Sequence, residues 1–165
     1  MKTLSKLLML SAFLLLGACN SPERAIGFVT GDNAEMQWHL GTQDAIDIVN
    51  TVDGLWAQED YESMRPYFAD SVAFTSYEGK TSNTFDDFVA AMTSGTSVSW
   101  TYDYAFSVDL NPSIGGEHVQ AGFTVTYPAT DDSEGYVNQN HESYYIVDGK
   151  IISLIQYVAK NVDQE

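Results

Sequence analysis

The spacing of apolar residues shifts from mostly helical to alternating near Gly95, and no other feature narrows the folding options of this chain as much. Between Thr42 and Met92 the apolar positions recur at helical intervals apart from one short strand, and beyond Gly95 they alternate. Residues three or four apart share a helix face, whereas residues two apart share a strand face. Ala45, Ile48, Val49, Val52 and Trp56 form one stripe, widened by Ile46 and Leu55. They predict a helix over 43–58 with Thr42 as N-cap and Asp44 in the first turn. Asp60 caps a short second helix with Tyr61, Met64 and Phe68 inward, and Pro66 bars the helix from running on. A strand over 71–77 ends at Glu78-Gly79-Lys80. Asn83 or Thr84 caps a third helix with Phe85, Phe88, Val89 and Met92 on one stripe and Gly95 as its stop. Four long strands follow, over 98–109, 118–127, 136–147 and 150–159, the last two joined by a two-residue type I′ turn at Asp148-Gly149. Helices first and consecutive strands afterwards define an α+β fold with three N-terminal helices on one face of a curved antiparallel sheet.

The N-terminus carries a different signal. Lys2 and Lys6 precede an apolar run from Leu7 to Leu16 that only Ser11 interrupts. That run is shorter than the roughly 20 apolar residues a spanning helix needs, and reads as an export signal. Leu16-Gly17-Ala18-Cys19 resembles a bacterial lipobox, which implies a signal peptide over 1–18 and lipid on Cys19. The expected organisation is then a tether over 19–41, a domain over 42–160 and a tail over 161–165. The expected location is the cell envelope, on the outer membrane, because Asn20 replaces the Asp that retains such proteins at the inner membrane. Phe28, Val29, Trp38 and Leu40 are not linker residues, so the second half of the tether is expected to pack on the domain. Lipidation consumes the only cysteine and leaves packing alone to hold the fold.

The chain has 7 basic and 23 acidic residues, a net charge of −16, which loss of Lys2 and Lys6 deepens to −18. Such a surface repels phosphate backbones, so nucleic acid is excluded as a partner. Aromatic residues at 13% and apolar residues at 44% argue for a packed core rather than an acidic disordered segment.

The element order resembles the nuclear transport factor 2-like superfamily, and within it the SnoaL-like group. Trp56-Ala57-Gln58-Glu59-Asp60-Tyr61 resembles the family's helix-ending step, and Phe68-Ala69-Asp70-Ser71-Val72 its entry into the first strand. Asp148-Gly149-Lys150-Ile151 with Tyr157 resembles its final hairpin. The resemblance spans Thr42 to Lys160 and implies a cone-shaped sheet with a pocket between the helices and its concave face. The superfamily holds isomerases, dehydratases and cyclases as well as binders and dimerisation modules, so fold does not give function. Ketosteroid isomerases place a general-base Asp eight residues after that Phe and an oxyanion Tyr sixteen before it. These positions are Ser76 and Val52 here. Serine is a poor base and valine donates no hydrogen bond, so that chemistry is not carried over.

The remaining candidates come from the strands. His141 and Glu142 are adjacent and therefore point to opposite faces of a strand. The final hairpin sets the register: if Ile146 faces the helices, so do Tyr144, Glu142 and Asn140, with His141 outside. Glu142 is thus preferred over His141 as the polar centre, with Asp103 a further candidate base. Trp56, Phe88, Asn140, Glu142 and Tyr144 are the expected pocket residues. Trp100, Tyr102, Tyr104 and Phe106 alternate and are expected on one face.

No metal or other cofactor is expected. His39, His118 and His141 lack ligand spacing, and Asp131-Asp132-Ser133-Glu134-Gly135 lacks the alternation of a calcium loop. Gly79-Lys80-Thr81 has Phe74 where a P-loop needs glycine. The expected function is binding of a small, mostly apolar molecule without catalysis. The alternatives are a lyase or isomerase using acid–base chemistry, and an interaction module whose open sheet face pairs with a second copy.

Overall fold

The computed structural model describes residues 25–93, 98–111, 115–131 and 134–159. The signal segment, Cys19, the stop at Gly95 and the tail over 161–165 lie outside the described residues. Among the described residues three α-helices form, α1 (Gln43–Trp56), α2 (Tyr61–Met64) and α3 (Phe85–Thr93). The strands are β1 (His39–Leu40), β2 (Phe68–Thr75), β3 (Thr81–Ser82), β4 (Ser99–Asp109), β5 (Gly116–Tyr127), β6 (Tyr136–Val147) and β7 (Lys150–Ala159).

Each helix starts where a side chain can accept an orphan amide. Thr42 Oγ1 accepts from Ala45 N–H at 3.3 Å, Asp60 Oδ1 from Ser63 at 3.2 Å, and Thr84 Oγ1 from Asp87 at 3.1 Å. Helix α1 ends two residues before the expected 58, because Glu59 at φ 56° turns the chain and lets Asp60 N–H bond Leu55 O. Pro66 falls in a 3-10 turn, Arg65–Tyr67, which leads straight into β2 at Phe68, three residues earlier than expected.

The seven strands run in the order β1-β4-β5-β6-β7-β2-β3 in one curved, unclosed sheet. Every ladder is antiparallel except that of β2 with β7, which is parallel and pairs Phe68 with Ile151 and Phe74 with Leu154. The two-residue turn at Asp148-Gly149 has both residues at positive φ, 49° and 74°, as a type I′ turn requires. Helix α1 packs on β4 and β5, and α3 on β2. Between them lies a core that includes Val49, Val52, Met64, Phe68, Phe88, Tyr144, Ile151 and Leu154.

The segment before α1 joins this body. Leu40 pairs with Val108 and His39 with Asp109, while Trp38 sets its ring edge-on to His118 at 5.4 Å. Glu117 then fixes the start of α1. It accepts from Thr42 N–H at 2.6 Å, Thr42 Oγ1 at 2.8 Å and Ser107 Oγ at 2.7 Å. Burial works to raise its pKa, but these bonds outweigh burial and hold it below the usual glutamate value.

The aromatic stripe of β4 corrects the expectation of a single face. The ladder slips between Tyr102, opposite Phe123, and Tyr104, opposite Gly122. This bulge at Asp103 adds one residue and so breaks the alternation. Trp100 and Tyr102 pack against the core, whereas Tyr104 and Phe106 emerge on the outer face, 52% and 48% exposed. Gly122 leaves the space in which the Tyr104 ring lies; a Cβ there would collide with it.

Candidate functional site

A cavity of about 480 Å³ opens between the end of α1, α3 and strands β4 to β7. Its aromatic walls are Trp56, Tyr61, Tyr77, Trp100, Phe123 and Tyr127, and its polar lining includes Asp53, Asn140, Glu142 and Gln156. Trp56 and Trp100 meet at 64° with ring centroids 6.2 Å apart, making a corner rather than a flat wall.

Strand β6 supplies the polar centre. Glu142 is 6% exposed, with Tyr144 at 1% and Ile146 at 4%, so this row faces the helices. Tyr144 O–H donates to Glu142 Oε2, and Gln156 Nε2 donates to Oε1 at 2.8 Å. Desolvation raises the Glu142 pKa, the two hydrogen bonds oppose that rise, and the charge of Asp53 adds to it. Asp53, on the last turns of α1, accepts from Trp100 Nε1 at 2.8 Å. Burial raises its pKa too, and the Trp100 bond only partly offsets this. Tyr102, stacked on Phe123 at 4.9 Å, is pushed up to about 12 by burial and by the charges of Asp53 and Glu142. The Tyr102 hydroxyl and Asn140 Oδ1 are buried without a hydrogen-bond partner.

Of the residues singled out from sequence, Trp56, Asn140 and Glu142 line the cavity; Phe88 and Tyr144 do not. Phe88 stacks on Phe74 at 4.3 Å within the core and borders a second hollow of about 340 Å³. Tyr144 lies beneath Glu142 as its support. Trp56 is half-buried. Trp56→Ala therefore costs less than the roughly 3–5 kcal/mol of emptying a fully buried aromatic site, a difference that denaturant titration measures.

His141 sits on the outer face, bonded to Gln120 Oε1 at 2.7 Å and to the Tyr104 hydroxyl at 3.3 Å. Asp103 accepts from Thr124 Oγ1 at 2.8 Å on that same face, away from the cavity. Neither can reach a molecule bound inside. Val52 is fully buried and Ser76 Oγ faces the amides of Glu78 and Lys80 in a turn, so neither position offers ketosteroid isomerase chemistry. Among the described residues no group of three or more His, Cys, Asp or Glu could hold a metal.

Asp53 was not anticipated from sequence. The signal was present: Asp53 lies four residues after Val49 and three before Trp56, on the apolar side of α1, where a carboxylate has no structural reason to be.

No family model matches the sequence, and no curated protein is significantly similar to it. Solved structures are similar in fold. A protein of Kribbella flavida provisionally called a ketosteroid isomerase superposes with TM-score 0.59 at 8% identity, covering 76% of this chain and 85% of that one. An NTF2-like protein of unknown function from Burkholderia pseudomallei gives 0.55 at 12% identity, covering 72% and 92%. A protein of Xanthomonas campestris provisionally called a polyketide cyclase gives 0.53 at 18% identity, covering 74% and 93%. The chain has the fold of the nuclear transport factor 2-like superfamily.

Proposed function

We propose that this chain is an exported, lipid-anchored domain that binds a small molecule in its cavity without transforming it. The observation that carries the binding reading is the open, aromatic-walled cavity with Glu142 buried at its centre. Concave apolar sites with a few convergent polar groups are where small molecules bind. Native mass spectrometry of protein purified from its own host tests this. A retained small molecule is expected, and its loss on Trp56→Ala places it in the cavity. Protein that is ligand-free in every preparation counts against the reading.

A lyase or isomerase is the second reading, favoured by the two carboxylates whose pKa values are both raised. Paired titratable groups of this kind suit proton transfer. Turnover of the retained molecule, abolished by Glu142→Gln, would replace the binder with the enzyme.

The anchor rests on Leu16-Gly17-Ala18-Cys19. Cys19→Ser is expected to release the protein from membranes or to leave an uncleaved precursor. Unchanged processing and retention on cell fractionation would remove the anchor from this proposal.

The outer sheet face suits a second copy. Tyr104, Phe106 and Tyr157 are each about half exposed, and Asp103 is the only carboxylate on the central strands there, in a chain of net charge −16. Copies of such a chain repel each other elsewhere, so this nearly uncharged aromatic patch is where they can meet. Sedimentation is expected to show a dimer that Tyr104→Lys converts to monomer; a wild-type monomer at every concentration would exclude it.

A further inference from the structure

The cavity combines features that a neutral apolar ligand does not require. Its lining includes three carboxylates, Asp53, Glu59 and Glu142, and no Lys, Arg or His. The Lys and Arg residues among the described residues, Arg65, Lys80 and Lys150, are engaged elsewhere, with Asp86 and Glu62, with Glu78, and with Pro66 O respectively. The unsatisfied polar atoms that remain are oxygens. Asn140 Oδ1, in the lining, is buried without a partner, as is the Tyr102 hydroxyl, and Asp53 accepts from Trp100 Nε1 through Oδ1. Two carboxylates beside an unpartnered amide oxygen call for a ligand that donates. Its walls agree, because the faces of Trp and Tyr attract a cation, most strongly in a desolvated site. Buried carboxylates without an internal cation are costly, and a bound cation would remove that cost.

Resting on the small-molecule reading above, we propose that the cavity selects a protonated amine carrying an apolar body. The ammonium sits between Asp53 and Glu142 with an N–H directed to Asn140 Oδ1, and the apolar body occupies the corner made by Trp56 and Trp100. Recognition then uses two charges, one amide oxygen and two indole faces. The ligand's charge holds both carboxylates ionised, so affinity falls as pH drops through their raised pKa values. The other titratable groups of the lining are Glu59 from the turn after α1, Tyr61 at the start of α2, Tyr77 after β2 and Tyr127 on β5, with Tyr102 on β4 and Tyr144 on β6 near the two carboxylates. Glu59 places a third carboxylate at the cavity.

Three probes of one shape separate charge, donors and bulk: benzylammonium, benzyltrimethylammonium and benzyl alcohol. Trp56 and Trp100 report by fluorescence, with Trp38→Phe removing the third indole, which lies against His118. Benzylammonium is expected to bind at least tenfold more tightly than benzyl alcohol, with benzyltrimethylammonium between them because it keeps the charge and lacks the donors. Asp53→Asn and Glu142→Gln are each expected to weaken benzylammonium at least tenfold and leave benzyl alcohol unchanged, with circular dichroism confirming that both variants fold. Equal binding of the alcohol, or indifference of the amine to both substitutions, overturns the cation and leaves a small-molecule site standing. No response to any of the three also overturns it, and the native mass spectrum then decides the broader reading separately.

Discussion

Tyr144→Ala is expected to destabilise the domain by about 3–5 kcal/mol, the range for emptying a large aromatic site in a packed core. Tyr144 is the largest fully buried side chain described, 1% exposed, and sits between β5 and β7 opposite Val119 and Leu154. The surrounding strands are held by their ladders and cannot collapse into the space it leaves. Tyr144→Phe keeps the ring and removes only the donor to Glu142, so its expected cost is smaller, about 1.5–3 kcal/mol for a hydrogen bond to a charged group. Denaturant titration of the two variants separates packing from hydrogen bonding. Equal costs would show that the hydroxyl dominates, and two small costs would mean that Tyr144 is not in the core.

Glu142→Gln is expected to stabilise the empty protein at neutral pH and to make no difference in acid. Glu142 is nearly fully buried, and desolvation holds its folded pKa above the ordinary glutamate value. Between those two pKa values the folded state holds a proton that the unfolded state has released, so stability falls as pH rises through that window. Below it both states are protonated and the penalty vanishes; above the folded pKa it is complete. Glutamine is neutral at every pH and escapes it. Each kcal/mol of relief raises Tm by about 2–4 °C in a domain of this general size. Melting curves of both proteins from mildly acidic to neutral pH should therefore diverge as pH rises. Parallel curves would show that hydrogen bonds from Tyr144 and Gln156 fully compensate the buried charge. The gain in stability and the expected loss of amine binding have opposite signs, which separates a ligand-binding carboxylate from a structural one.

Much of the fold was legible because local signals agreed with one another. The caps Thr42 and Asp60, the turn at Asp148-Gly149 and the period-two strands all mark places where backbone chemistry is decided within a few residues. The register of β6 was legible for the same reason: a two-residue turn and a period of two place Glu142 inside once Ile146 is inside. The β4 bulge was not legible, since nothing in Trp100-Thr101-Tyr102-Asp103-Tyr104 says that two residues will face one. The cue lies on the neighbouring strand, in Gly122, and becomes meaningful only after pairing. Phe88 and Tyr144 were expected in the lining because pattern gives the face of a residue but not its depth. Asp53 was missed because the apolar stripe was read for its apolar members alone. The parallel pairing of β2 with β7 was equally hidden, being a contact between residues eighty or more positions apart.

That parallel pairing orders events in time. Strand β2 is made early, yet apart from the two-residue β3 its partner is β7, the last strand among the described residues. Contacts between distant segments must meet the entropy of closing the intervening loop before they return any stabilisation. Helices and the β4–β7 meander can form from neighbours, but Phe68 and Phe74 find their sheet only when Ile151 and Leu154 exist. The aromatic floor under α3 is thus completed only once β7 is in place. Until then β2 lacks its long partner strand, and truncation before β7 removes the ladder that holds Phe68 and Phe74 in the sheet.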